Sequence, residues 1–325
     1  MMARTQRRLS EAGKAVAAGG LAVLLSGCIS FASLPGSEAG RPDNLASLRA
    51  QALELVNADR SQHGLPPLRQ DDVLNRIAQS HASDQLSRGY YGHVSPGGKG
   101  VQDRYLDAGG NKWRLVQENI ATCRGCDVSA DRVERFETGW MNSPGHRENI
   151  LREGIDRFGF GIAGEDGRVH AVQTFSGPGS SNGGSETEAS ASEIQNAAVQ
   201  AINEARRSAG VSPLQASDAL RRGASAMLPE PGARRFEPGS MNALVGALSD
   251  ETRARFSGFS TAIGICGGCG TKPTTADARD FVEQWLGTSR QREVLLAPGL
   301  TEVGVAVAAD GEGKKIGLAA FGRAR

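Results

Sequence analysis

The chain has 325 residues, with 37 basic and 36 acidic side chains and 43 glycines. This length suits one large domain or two ordinary domains. A net charge near zero gives no electrostatic argument for binding nucleic acid, so we expect no nucleic-acid partner. The many glycines indicate many turns and loops.

Residues 1–27 have the pattern of a secretory signal peptide. Basic residues precede the apolar run AVAAGGLAVLLSGC, which is too short for a comfortable membrane span. The LSGC sequence at 25–28 resembles a bacterial lipobox, which implies cleavage before Cys28 and lipidation of its sulfur. The alternative is an ordinary signal peptide with an unpaired cysteine. We favour the lipobox because the other four cysteines fall into two pairs.

Export would place the mature chain outside the cytoplasm, where disulfides are stable. A lipid on Cys28 would anchor the chain to a membrane, which is an outer membrane or a cell surface according to the envelope type. Residues 28–43 are small and polar and contain Pro and Gly. We therefore predict that they form a tether between the anchor and the first folded domain.

The mature chain repeats four motifs in the same order. ALELVNADRSQHGLPPL aligns with AVQAINEARRSAGVSPL, CRGC with CGGC, GWMNSPGHRENIL with QWLGTSRQREVLL, and FGFGIAG with VGVAVAA. Two copies at this long period indicate a duplicated domain. We predict domains at 44–177 and 192–325, joined by a Gly/Ser-rich linker at 178–191.

The elements of the first copy can be predicted in chain order. Asn44 is expected to cap a first helix, and a second helix should begin near Asp71. A Gly-rich stretch follows to about residue 127, and Ser129 is expected to cap the next helix. Ser143, followed by Pro, should start a short helix. Two alternating runs then predict a hairpin around 164–167. Helices flanking a small sheet make an α+β domain.

All five histidines lie in the first copy, which separates candidate site residues from the shared scaffold. His93, Glu118 and His146 come from three separate segments, and the second copy has approximately Gly239, Thr261 and Gln291 there. Two imidazoles and a carboxylate can bind a divalent metal, here Zn or Ca, or carry out acid–base chemistry with Glu118 as a possible base. Spacing alone favours three unrelated loop residues, because no compact metal motif is present.

The segments HASDQLSRGYYGHVSPGG, QENIA, GWMNSPGHRENIL and FGFGIA together resemble the CAP domain, named for cysteine-rich secretory protein, antigen 5 and pathogenesis-related 1. The resemblance is closest to the bacterial SCP-like branch, and it covers roughly residues 47–177. It implies an α-β-α sandwich with a central cleft, followed here by a second, degenerate copy.

The resemblance also implies site residues. The family's cleft holds two histidines and two acidic residues, and His93, His146 and Glu118 match three of them. Ser143 stands where the second glutamate would be, which leaves the set incomplete unless Asn142 or Ser143 assists. We expect both residues to line the cleft.

Other side chains have two interpretations each. His81 lies on the apolar face of the second helix, so we expect it to be buried, and the alternative is that it faces and lines the cleft. Tyr91 has no counterpart in the second copy, and it should line the cleft mouth or pack within its loop. Trp140 and Trp285 share one repeat position, which indicates core residues.

The two C-x-x-C pairs occupy one repeat position. In an oxidising compartment we predict local disulfides Cys123–Cys126 and Cys266–Cys269. A four-cysteine zinc site that bridges the copies is the alternative.

Two functions fit the sequence. The resemblance favours a lipid-anchored binding module of the cell envelope, with a lipid, glycan or peptide ligand. The alternative is a metal-dependent, peptidase-like hydrolase that uses the same cleft.

Overall fold

The computed structural model describes residues 42–181 and 187–325, without the side chains of Pro42 and Asp43. The predicted signal peptide, Cys28 and most of the predicted tether lie outside the described residues. Within the described part of the chain, no helix is both long and apolar enough to cross a membrane.

The first repeat consists of helices interleaved with four strands. They are α1 Pro42–Gln62, β1 Arg69–Gln70, α2 Asp72–Arg88, α3 Val101–Asp107, β2 Leu115–Arg124, α4 Ala130–Met141, α5 Pro144–Ile150, β3 Arg157–Glu165 and β4 Arg168–Gly177. The predicted cap at Ser129 is confirmed, since its side chain accepts from Arg132 N–H. The second helix begins near Asp71 as predicted, and the Asp71 side chain caps it by accepting from Val73 and Leu74 N–H. The cap at Asn44 is wrong, because α1 already begins at Pro42.

The second repeat follows the same order with one additional helix. Its elements are α6 Ala191–Ser208, β5 Gln215–Ala216, α7 Asp218–Ala226, α8 Met241–Gly246, α9 Asp250–Arg255, β6 Phe256–Cys266, α10 Thr275–Gly287, α11 Ser289–Leu295, β7 Glu302–Ala309 and β8 Lys315–Ala324.

Each repeat has its own four-stranded sheet, and the two sheets have the same topology. Their strand orders are β1-β3-β4-β2 and β5-β7-β8-β6, with the short first strand parallel and the other pairs antiparallel. The registers also correspond: Glu118 lies opposite Thr174, and Thr261 lies opposite Ala320. The predicted α+β fold with two CAP-like sandwiches is therefore confirmed, and Thr261 is the structural counterpart of Glu118.

Helices cover both faces of the first sheet. One core cluster joins α1, α4 and α5 to the strands, and it includes buried Trp140, as predicted. On the other face α2 lies very close to β3, because Gly159 and Gly161 leave room for its backbone. A Cβ atom at Gly159 would lie 2.2 Å from the carbonyl carbon of Leu74. The helix α2 therefore packs directly against the sheet.

In each repeat, a buried arginine binds the backbone at the end of the short helix that follows the tryptophan helix. Arg60 donates to the carbonyl oxygens of Ile150 and Arg152, and Arg206 donates to those of Leu295 and Ala297. These guanidinium groups satisfy backbone acceptors after the short helices α5 and α11. Since both copies keep the arrangement, it belongs to the scaffold.

The C-x-x-C pairs form disulfides Cys123–Cys126 and Cys266–Cys269, as predicted. The Cys266–Cys269 loop contacts the start of β2, where Gly268 N–H donates to Trp113 carbonyl at 2.6 Å. Cys123 lies near the other end of β2. The alternative of one zinc site bridging both pairs is therefore wrong for this structure.

The beginning of the predicted linker is hydrogen-bonded to the second repeat. Gly270 N–H donates to Pro178 carbonyl, and Lys315 Nζ donates to Ser181 Oγ, each at 2.9 Å. Arg114 and Glu312 add an ion pair across the same junction. Residues 178–181 therefore form part of the contact between the repeats.

Candidate functional site

The centre of the site is the carboxylate of Glu118, whose side chain is only 1% exposed. Its Oε1 lies 3.0 Å from His93 Nδ1 and 3.7 Å from His81 Nε2. Its Oε2 accepts from the Arg104 guanidinium at 2.5 Å. A buried carboxylate is costly unless it is paired and hydrogen-bonded, and these contacts meet that requirement.

Arg104 also holds the segment that carries His93. From α3, its NH1 group donates to the carbonyl oxygens of His93 and Lys99. The guanidinium presents several donors in a fixed plane, so one side chain can bind Glu118 and two loop carbonyls together. Arg104 therefore sets where His93 stands relative to the carboxylate.

His93 itself remains accessible, with its side chain 54% exposed. Because Nδ1 faces Glu118, the other ring nitrogen, Nε2, is the one left for a ligand. A carboxylate at one nitrogen fixes the tautomer and orientation of an imidazole. The arrangement makes His93 an oriented hydrogen-bonding group at the surface, and Glu118 the group that orients it.

His81 meets the first of its two expectations, which was burial. It is buried, its Nε2 lies 3.0 Å from Gly92 carbonyl, and it stands behind Glu118. Burial lowers the pKa of His81, and the Arg104 charge lowers it further, against the opposing effect of Glu118. His81 therefore supports the Glu118 cluster from α2 and does not line an open cleft.

His146 approaches the cluster from α5 and is half-buried. Burial lowers the pKa of His146, and the nearby His93 lowers it further. Its backbone carbonyl accepts from Asn119 Nδ2 at 3.1 Å. The structure thus brings His93, Glu118 and His146 into one neighbourhood, although His146 makes no side-chain hydrogen bond to Glu118 within the described residues.

These donors, as arranged, do not fit a metal ion. Both oxygens of Glu118 are engaged, one by an arginine whose positive charge opposes a second cation. Within residues 42–181 and 187–325, no group of three or more His, Cys, Asp or Glu side chains is placed to hold a metal. The arrangement can orient an imidazole and donate or accept hydrogen bonds.

The other three residues expected in the cleft lie in different places. Tyr91 is 53% exposed, and its hydroxyl donates to Ile120 carbonyl at 3.1 Å, which places it at the edge of the site. Ser143 occupies the N-cap of α5 without a side-chain capping bond. Asn142 is exposed and lines a separate groove with Pro144 and Arg147.

Arg104 was not predicted from the sequence. It belongs to no motif, and its role depends on a helix, α3, inside a stretch that looks like a loop.

The second repeat does not form this cluster. Thr261 replaces Glu118, and Gln291 replaces His146 and donates to Ile263 carbonyl at 2.9 Å. Met227, at the position of His81, is buried in an apolar cluster. The site is therefore a property of the first repeat alone.

Comparison with known proteins identifies the class. The model of the CAP family, the cysteine-rich secretory protein family, matches residues 53–175 and 199–321, more than half of the chain. The chain belongs to the CAP family, with two copies of its domain, and the predicted resemblance is confirmed.

Two relatives come from Bacillus subtilis (strain 168). The chain is 31% identical over 132 residues to the uncharacterized protein YkwD, across 41% of this chain and 48% of that protein. It is 34% identical over 112 residues to the uncharacterized membrane protein YlbC, across 34% of this chain and 30% of that protein. The chain thus spans no more than about half the length of either relative.

A solved structure of an extracellular protein containing an SCP domain, from Bacillus anthracis str. Ames, is 31% identical. The match covers 43% of this chain and 44% of that chain, with a TM-score of 0.35.

Beneath the site lies a second buried carboxyl group, on Glu137 of α4. Gln173 Nε2 donates to its Oε2. Burial raises the pKa of Glu137 to about 8, the Gln173 bond opposes the rise, and Asp59 adds to it through its charge and a hydrogen bond. Glu137 is therefore mostly protonated in the folded protein at neutral pH.

This raised pKa predicts how stability depends on pH. Between about pH 5 and 8 the folded protein keeps a proton that the unfolded chain has released. The free energy of unfolding should therefore fall as pH rises, by up to about 1.4 kcal/mol per pH unit from this group. Urea unfolding at a series of pH values gives the free energy of unfolding of wild type and of Glu137→Gln as a function of pH. The difference between the two plots measures the effect. Parallel plots across this range would contradict the prediction.

Proposed function

We propose that this protein is an extracytoplasmic, lipid-anchored binding protein of the CAP family. The first repeat supplies the ligand site around His93, Glu118 and His146. The second repeat serves as a structural or interaction partner. Membership of a secretory family, the two disulfides and the signal-peptide pattern support a location outside the cytoplasm.

One observation carries the proposed site. The first repeat buries the Glu118 carboxyl group and surrounds it with Arg104, His93 and His81, whereas the second repeat places Thr261 at the same register. Burying these charged and polar groups is costly, and the second repeat shows that the fold forms without them. Their presence in one copy only therefore supports a functional role.

The chemistry of the site favours a polar ligand. The floor of the site consists of an ion pair and imidazole groups. An acyl chain would remove water from these groups and could not replace the hydrogen bonds that the water made. Exposed Tyr91 and Val94 add apolar contact beside His93. A peptide or glycan of the cell envelope, with both amide or hydroxyl groups and apolar faces, fits these groups better than a lipid.

A hydrolase remains a second candidate, and a specific contact favours it. Glu118 orients His93 through Nδ1, which is how a carboxylate prepares an imidazole to act as a general base through Nε2. In that reaction His93 would take the proton from an attacking water, and Glu118 would stabilise the resulting imidazolium. The role of base that the sequence suggested for Glu118 is thereby transferred to His93.

The binding proposal can be tested by calorimetry with muropeptides released from cell walls and with casein-derived peptides. We expect His93→Ala to weaken binding by about tenfold or more, since it removes an oriented hydrogen-bonding group. The matched control is His63→Ala, an exposed histidine at the end of α1 in the same repeat. Equal affinity of wild type and His93→Ala for every ligand that binds would contradict the proposed site.

The same samples distinguish a binder from a hydrolase. Mass spectrometry of the ligands after incubation should find them intact if the protein only binds. Cleavage by wild type that disappears in His93→Ala would support the hydrolase instead.

The lipid anchor is a separate proposal with its own test. Replacing Cys28 by Ala removes the sulfur that would be acylated, so the variant should pass from the membrane to the soluble fraction. Ultracentrifugal fractionation of cells expressing each form measures this. Equal membrane retention of both forms would argue against lipidation.

A further inference from the structure

A chain of buried side-chain hydrogen bonds joins α4, β4, β2 and α5 below the site. Gln173 Nε2 donates to Glu137, and Asn119 Nδ2 donates to Gln173 Oε1 at 3.1 Å. Asn149 Nδ2 in turn donates to Asn119 Oδ1 at 2.9 Å. Glu137, Gln173 and Asn119 are buried, and Asn149 is half-buried.

The chain ends on the backbone of two site residues. Asn119 Nδ2 donates to the carbonyl oxygen of His146 at 3.1 Å, and Asn149 Nδ2 donates to that of Glu118 at 3.2 Å. The short helix α5 is therefore tied to β2 at two points. These contacts fix the backbone from which the His146 side chain extends, relative to the strand that carries Glu118.

The second repeat provides an internal control. Asn119 lies opposite Gln173 in the first sheet, and Ala262 lies opposite Ala319 in the second. When Trp140 of α4 is aligned with Trp285 of α10, Val282 occupies the position of Glu137. When α5 is aligned with α11, Val294 occupies the position of Asn149.

All four replacements are apolar, and all four lie in or against the core of the second repeat. The short helix α11 nevertheless packs in the same place, contacting α10 and β6. The fold thus needs small or aliphatic side chains at these positions and does not need hydrogen bonds. The polar set occurs only where the site residues occur.

We propose that Glu137 and Gln173 are positioning residues, which hold His146 in place against Glu118 through Asn119 and Asn149. The proposal rests on the proposed function of the first repeat as the ligand site, and it adds residues that touch no ligand. Loss of the network should leave the domain folded and release α5 from β2, so that His146 loses its fixed position.

The test measures the accessibility of each imidazole without any ligand. Diethyl pyrocarbonate modifies histidine side chains, and peptide mass spectrometry gives the rate at each residue of the full-length protein. In Glu137→Val/Gln173→Ala, which carries the residues of the second repeat, the modification rate at His146 should rise by roughly fivefold or more through local opening. His170, on β4 beside Tyr91, should keep its rate and serves as the internal reference.

Two further variants keep the test decisive. Glu137→Gln retains an oxygen that accepts from Gln173, so it should keep the wild-type rate at His146. Asn149→Val removes the hydrogen bonds from Asn149 to Asn119 and to the Glu118 carbonyl, at a half-buried position. It therefore tests the hydrogen-bond chain, called the relay below, even if the double variant does not fold. A wild-type rate at His146 in a folded double variant, or in Asn149→Val, would overturn the proposal.

The outcomes separate this proposal from the proposed function. Failure of His93→Ala to affect binding would remove the ligand site and leave the reactivity result standing. Unchanged reactivity at His146 would remove the relay and leave the ligand site standing.

Discussion

The ion pair between Glu118 and Arg104 is the interaction on which the site depends. Glu118 has a side chain only 1% exposed, and its burial is compensated because a guanidinium pairs with it and two histidines lie beside it. The NH1 group of Arg104 donates to the carbonyls of His93 and Lys99, so the same side chain balances the charge and orders the loop. The orientation of His93 follows from this pair, and so does the engagement of both Glu118 oxygens by neighbouring side chains.

Duplication allows scaffold and site to be separated within one chain. Arg60 and Arg206, the tryptophans of α4 and α10, and the disulfides recur in both repeats, so they maintain the fold. Glu118 and the histidines occur once. The amides and the carboxyl group beneath them also occur once, and aliphatic side chains replace them in the second repeat. Selective retention of costly buried polar groups is the physical reason for assigning them a function.

The sequence predicts the duplicated α+β fold because motifs, caps and turns are local or repeated features. It also predicts which segments carry His93, Glu118 and His146. It does not predict β2 and α3, because they lie in a Gly-rich stretch whose periodicity is weak. Arg104 depends on α3 and on a contact with Glu118, 14 residues away, so its part in the site became visible only in three dimensions.

The metal expectation shows the same limit. Residue types that commonly bind metals were present at matching family positions, and the competing arginine came from outside every motif. Side chains within the site engage the Glu118 oxygens that could otherwise bind a metal, and residue types alone do not show this. Only the geometry tells whether a carboxylate faces a cation site or a cation side chain.

A double-mutant cycle between Arg104 and Glu118 tests this account most directly. The cycle compares wild type, Arg104→Met, Glu118→Gln and the double variant, using the opening free energies of β2 amides from native-state hydrogen exchange. We expect each single change to destabilise β2 by about 3 kcal/mol, since it leaves a buried charge unpaired. The double change should cost less than the sum, with a coupling energy of about 1–3 kcal/mol. Additive effects, with a coupling energy near zero, would show that the pair does not hold the site together.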